Sequence, residues 1–254
     1  MAQSGNGRLR LFNDFFGLEN LLLAMTTDPA GTQGYPMGDF YGGGEGIEDN
    51  DAGFKASTTA PLSGAITITS ANTDADTAFI GTSISFDVEK MAPITLETRI
   101  QLPDLDTKEI FFGLTSILTV DEQLEDIVIN AGSATTLTMP ADLVGFYLSD
   151  ELTTVAGDFH AINNGGTATA TTTSTNGQLN TVPGTGEWVV LRLEVASNGT
   201  TEWWIDGVLK KTVVGAASTT TNMAVCLAAA ANTTELAIIE CDYIEVTANR
   251  DWTV

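Results

Sequence analysis

Thirty-three of the 254 residues are aspartate or glutamate and one is histidine, so acid–base chemistry in this chain falls to carboxyl groups. Hydrolysis of a glycosidic bond needs two of them facing each other across the scissile bond. The densest acidic string is DEQLED at 121–126, where Glu122 and Glu125 are three residues apart. That spacing puts them on opposite faces of a strand, and the string reads as a solvated loop or one helical turn. The single histidine, His160 in GDFHAINN, has no nucleophile elbow or cysteine partner beside it and reads as a loop or strand-end residue. GGGEG at 42–46 lacks the Lys-Ser/Thr and the following helix of a phosphate-binding loop. No catalytic residue is assigned, and the chain is expected not to be an enzyme.

Binding residues are easier to nominate. Hard cations such as calcium want clustered carboxylates and carbonyls, and two places offer them: Asp49 and Asp51 in GIEDNDAG, and Asp74 and Asp76 in NTDADT. Neither has a twelve-residue loop with a closing Glu, and turn-forming Asp and Asn account for both equally. Calcium is therefore the one cofactor considered, and none is assigned. Aromatic contacts to a sugar would come from Tyr41 in the Gly-rich loop and from Trp204, because Trp203 and Trp204 are adjacent and only one of them faces a core. Cys226 and Cys241 fit no metal spacing and read as buried strand cysteines, able to pair only if their strands adjoin.

The elements that position these groups are strands. From about residue 62 apolar residues alternate with polar ones: ISFDV (84–88), ITLETRI (94–100), VGFYLS (144–149), WVVLRLEV (188–195) and LAIIECDYIEVTANRDW (236–252). EIFFGLTS (109–116) is apolar on both faces and so belongs near the centre of a sheet. Asn198-Gly199 predicts a two-residue hairpin turn with both residues at positive φ, and Asp206-Gly207 a second tight turn. NNGGTATATTTSTNG (163–177) reads as a long loop or weak hairpin. About eleven to thirteen strands are expected, enough for a two-sheet antiparallel sandwich. The division read from the sequence is 1–60 as an N-terminal arm and Gly-rich loop, and 61–254 as the sandwich.

The order of five pieces carries a resemblance: Phe112-Gly113-Leu114, Val144 to Leu148, Trp188 to Val195, Trp204-Ile205-Asp206-Gly207, and Asp242-Tyr243-Ile244-Glu245-Val246. It resembles the concanavalin A-like lectin/glucanase superfamily, and within it the laminin-G-like jelly rolls of bacteriophage virion proteins. The resemblance implies an all-β, two-sheet jelly-roll sandwich. Glucanases of this fold carry E-x-D-x-E or E-x-D-x-x-E on one strand, aimed by alternation into one cleft; no such string occurs here. Asp14-Phe15-Phe16-Gly17, the Gly-rich loop and the closing Arg250-Asp251-Trp252 look like tailed-phage head or decoration proteins of the marine podovirus kind. That implies a non-enzymatic protein of the virion, assembled in the host cytoplasm and bound to the major capsid protein or another virion protein.

Charge bears on partners. The net charge is −23, which repels phosphate backbones and anionic lipid and suits a basic protein surface, so neither nucleic acid nor membrane is expected. Asp14 and Glu19 interrupt the first apolar run, so no signal peptide is expected, and MAVCLAAAA (223–231) is too short to span a bilayer. The first ten residues hold Arg8 and Arg10 and no acid. A sandwich closed from residue 62 onward leaves these and Leu11, Phe12, Phe15 and Phe16 seeking partners: the expectation is a contact to a capsid or to another copy in a homo-oligomer, and the alternative is that the apolar ones pack back on the same sandwich. The alternative function is a carbohydrate-binding, lectin-like module for tail or host-surface adhesion.

Overall fold

The structure is a computed structural model that describes residues 7–16, 35–47, 52–57, 64–106, 108–129, 134–152 and 157–251. Two antiparallel sheets stack face to face, the two-sheet jelly roll that the alternation predicts. In chain order the strands are β1 (Arg8–Asn13), β2 (Tyr35–Met37), β3 (Phe40–Gly43), β4 (Gly53–Ala56), β5 (Ile66–Thr69), β6 (Thr77–Gly81), β7 (Ile94–Gln101), β8 (Lys108–Thr115), β9 (Leu143–Ser149) and β10 (His160–Asn164). They continue with β11 (Trp188–Val195), β12 (Thr201–Ile205), β13 (Val208–Val213), β14 (Ala224–Ala231) and β15 (Ile238–Asn249). Two four-residue helices, α1 (Val88–Met91) and α2 (Ser174–Gly177), sit between strands.

The eight-stranded sheet runs β13-β12-β11-β7-β15-β5-β4, with β1 also paired to β15. The length of β15 explains that arrangement: Ile238–Cys241 pair with β5, while Ile244 to Asn249 pair with β1. A bulge between Cys241 and Tyr243 shifts the alternation, so Ile239 and Cys241 face inward before it and Ile244, Val246 and Ala248 after it. The seven-stranded sheet runs β10-β9-β8-β14-β6-β3-β2. Inward residues of both sheets form one core, including Leu96, Ile100, Ile110, Phe112, Phe146, Leu191, Leu193, Trp203 and Leu227. Trp203 spans the gap: its ring is fully buried and its Nε1–H donates to the Gly145 carbonyl of the opposite sheet at 2.8 Å.

Several expectations need correction. The described residues of the first sixty are not an appendage to a sandwich closed from residue 61. β1 and β4 belong to the eight-stranded sheet, β2 and β3 to the seven-stranded one, and Phe15, Met37, Phe40, Ile47 and Phe54 are core residues. ISFDV is not a strand either. Phe86 forms an isolated bridge to Met223, and Asp87 caps α1 by accepting from the Lys90 amide, which turns the chain into a helical turn at Val88. Cys226 and Cys241 are free and buried, one packed against each side of the seven-stranded sheet's layer boundary: Cys241 in the inter-sheet core, Cys226 in a second core described below.

The β11–β12 connection also differs from expectation. Asn198 keeps a negative φ, and only Gly199 is left-handed, at 76°. Residues 196–200 form a longer loop in which the Gly199 amide donates to Ala196 and the Ala196 amide to Thr200, while the Asn198 side chain accepts from the Thr200 amide. Asp206 and Gly207 do form the tight turn expected of them, with φ of 49° and 75°. Gly199 is doubly constrained, since an added Cβ would lie 2.3 Å from the Ala217 carbonyl oxygen. Gly199→Val is therefore expected to destabilise the fold by more than about 1 kcal/mol, read as a lower midpoint in urea unfolding; an unchanged midpoint contradicts this loop geometry.

Candidate binding face

One face of the seven-stranded sheet makes the inter-sheet core, and the other turns away from it. That other face is sealed. Leu118, Leu124, Ile127, Val128, Leu137, Ala141 and Leu152 pack over Phe79, Phe111, Leu143, Tyr147, Ile162, Cys226 and Ala228 in a second apolar core. Facing glycines, Gly113 on β8 and Gly145 on β9, allow close approach: a Cβ on Gly145 would meet the Phe111 ring at 2.9 Å. DEQLED lies in this cover and takes the second of its two expected forms, one helical turn, and not the solvated loop. Leu124–Asp126 form a 3-10 turn, and Glu122 is buried, its Oε2 accepting from the Thr119 amide at 2.6 Å. Glu122 titrates above the usual carboxylate range because of that burial.

Under the cover lies a carboxyl group that the motif search missed. Glu109 on β8 shares its face with Phe111 and Gly113. Its Oε1 accepts from Ser149 at 3.4 Å, and Oε2 is buried without a partner. Burial pushes Glu109 up to about 8; bonds from Tyr147 and Ser149 oppose the shift, and Glu151 and Glu125 add to it. His160, on β10 beside Tyr147, is fully buried, and burial lowers its titration.

Folding carries Glu109 from 4.5 to about 8, so between those values the folded chain keeps a proton that the unfolded chain releases. Stability contributed by this group must fall as pH rises through that window. His160 works in the opposite sense, its depressed titration adding stability as pH rises through its ordinary range. Comparison with Glu109→Gln isolates the carboxyl: the variant is expected to gain melting temperature over wild type at pH 8 relative to the difference at pH 5. Equal differences at both pH values contradict a buried, protonated Glu109.

The outer face of the eight-stranded sheet leaves its long side chains part-exposed, Arg10 at 52%, Arg192 at 45% and Arg99 at 38%. Strand alternation places Arg8, Arg10 and Phe12 of β1 on it, exposed, while Leu9 and Leu11 turn inward to the core. Across the sheet the register aligns Phe12, Glu245, Glu97, Arg192, Trp204 and Leu209 in one row. Arg10 Nε pairs with Glu245 at 2.7 Å, and its guanidinium lies 4.9 Å over the Phe12 ring. Phe12 in turn is 6.4 Å from Tyr243, whose hydroxyl donates to Glu97 at 2.7 Å. Arg192 bridges Glu97 at 3.8 Å and Glu194 at 2.5 Å, while Arg99 pairs with Asp242 at 2.8 Å and lies 4.7 Å over Trp188. Exposed ion pairs contribute at most about 1 kcal/mol each, so this network matters more for holding long side chains in place than for stability.

The sequence-nominated residues divide accordingly. Arg8, Arg10, Phe12 and Trp204 meet on this one face. Leu11 and Phe15 are built into the sandwich instead of standing free, Leu11 partly buried against the core and Phe15 1% exposed. Phe16 is 66% exposed, against Gly64. Tyr41 stands apart from Trp204, on the sealed side of the other sheet, edge-on to Phe79 with its hydroxyl pushed up to about 12 by burial. Asp49 and Asp51 lie outside the described residues. Asp76 is nearly buried and accepts from the Thr73 amide, a turn-forming role, and among the described residues no group of three His, Cys, Asp or Glu side chains converges to hold a metal. The sequence reading missed Arg99, Arg192 and Tyr243 as face residues, although ITLETRI and WVVLRLEV already set their polar positions opposite the apolar ones.

No family model and no curated protein sequence matches the chain. Solved structures do. A protein of unknown function, SO2946 from Shewanella oneidensis MR-1, aligns over 97% of this chain and 89% of its own, with 13% identity and a TM-score of 0.61. The carbohydrate recognition domain of Emp46p aligns over 93% of this chain and 97% of its own, at 11% identity and a TM-score of 0.53. This chain has the jelly-roll fold of the concanavalin A-like lectins and glucanases. The β-glucanase of Bacillus licheniformis shares it over 98% of this chain and all of its own, at 9% identity and a TM-score of 0.51. At such identities the likeness is one of fold.

Proposed function

We propose that this chain is a non-enzymatic protein that docks to a partner through the outer face of its eight-stranded sheet, and that its setting is a tailed-phage virion, as a capsid decoration or head-surface protein. The observation that carries the docking reading is the contrast between the two outer faces. One is closed by the chain's own cover over the buried Glu109, and the other presents Phe12, Trp204, Arg10, Arg99 and Arg192 in a fixed array. Aromatic and arginine side chains are the groups that carry binding energy at protein interfaces. The virion setting draws on the resemblance of the opening segment and Arg250-Asp251-Trp252 to phage head proteins. A net charge of −23 supports it, favouring a basic protein surface over nucleic acid. A lectin-like module is the second reading, favoured by the likeness to the Emp46p carbohydrate recognition domain and by the half-exposed Trp204.

Co-sedimentation with phage capsids assembled without this chain separates the two. Wild type is expected to pellet with the particles, and Phe12→Ala with Trp204→Ala to lose at least about tenfold in affinity, as truncation of two central aromatic anchors does. Trp204→Phe is expected to bind normally, since the indole N–H is buried and has no hydrogen-bond partner among the described residues. Binding to a glycan array with no binding to particles would instead establish the lectin-like reading.

A further inference from the structure

Beside the aromatic row on the outer face, the next row of the register runs Arg10, Thr247, Thr95, Glu194, Glu202 and Thr212. Glu194 on β11 and Glu202 on β12 stand directly opposite each other. Like charges facing across an antiparallel pair are unfavourable, and a sheet needs none there. Arg192 closes on Glu194 at 2.5 Å, whereas Glu202 has no ion pair or hydrogen bond among the described residues.

An open cavity of about 240 Å³ lies over this pair, bounded by Thr95, Glu194 and Glu202 and by Pro93, Ala196 and Thr200. Its walls combine apolar ring and methyl surface with an unneutralised carboxylate. A calcium ion wants six to eight oxygen ligands, and prolyl and alanyl walls supply none from their side chains. A long side chain with an apolar stem and a cationic end matches both parts. Resting on the outer-face reading, we propose that this cavity seats a lysine or arginine side chain of a protein partner, its methylenes against Pro93 and Ala196 and its charge at Glu202. The chain's net charge of −23 makes a basic partner surface the complementary one.

The particle assay with Phe12 and Trp204 variants alters neither carboxylate, so failure of that reading and failure of this one are distinguishable. The test here is a nuclear magnetic resonance titration of the full chain with Nα-acetyl-lysine methylamide, using Nα-acetyl-norleucine methylamide as the uncharged control. The amides of Thr95, Ala196 and Thr200 are expected to shift with the lysine probe, less so at high salt. Glu202→Gln, which leaves the melting temperature at or above wild type, is expected to weaken the lysine probe by roughly tenfold, the loss of one charge-assisted hydrogen bond. Equal shifts with the norleucine probe, no localised shift, an undiminished response in Glu202→Gln, or calcium shifting the same amides overturns the proposal.

Discussion

Burial of both faces of the seven-stranded sheet is the constraint on which the rest of the molecule turns. Strands β8, β9, β14 and β6 are buried at every position, and such strands are apolar on alternate and intervening residues alike. Each large side chain so buried contributes about 1.5–3 kcal/mol, and the second core adds several of them to a sandwich that already has one. The same burial pushes Glu109 up to about 8, which favours its protonated form at neutral pH. A face committed in this way to stability has little left for a ligand, and the exposed, structured surface is the opposite sheet's.

On that opposite face the backbone register and the side-chain network reinforce each other. β15 is long enough to bind β1 and β5 end to end along one side while β7 runs along the other. This docks Arg10 and Phe12, remote in sequence, beside Tyr243 and Glu245. The amino-terminal segment thereby contributes to the binding face as a strand, not as a free arm. The likeness to a carbohydrate recognition domain and to a glucanase is a likeness of scaffold, and scaffolds of this kind host unrelated functions.

Much of the sandwich is legible in the amino-acid sequence because alternation survives wherever one face is buried. WVVLRLEV and ITLETRI show it plainly, and EIFFGLTS announces a doubly buried strand by losing it. RLRLFN alternates just as cleanly in β1, but the phenylalanines and leucines that follow it blur the pattern into an apolar arm. The cover over the seven-stranded sheet is not legible at all. Leu118, Leu124, Ile127, Val128 and Leu137 sit in irregular chain and share no period, so only tertiary packing groups them. Glu109 escaped notice for a related reason: a lone acid in an apolar strand has no motif, and its chemistry comes from what covers it. Asn198-Gly199 promised a two-residue turn, but local hydrogen bonding of Asn198 to Thr200 favours a longer loop.

Hydrogen–deuterium exchange, measured on the free chain and on the chain bound to particles, tests most directly which outer face does the binding. New protection is expected in β1, β11, β12 and residues 196–200, with exchange in residues 117–129 and 134–142 unchanged. Protection that appears over the 117–142 cover, while the outer face of the eight-stranded sheet exchanges as before, would contradict the account.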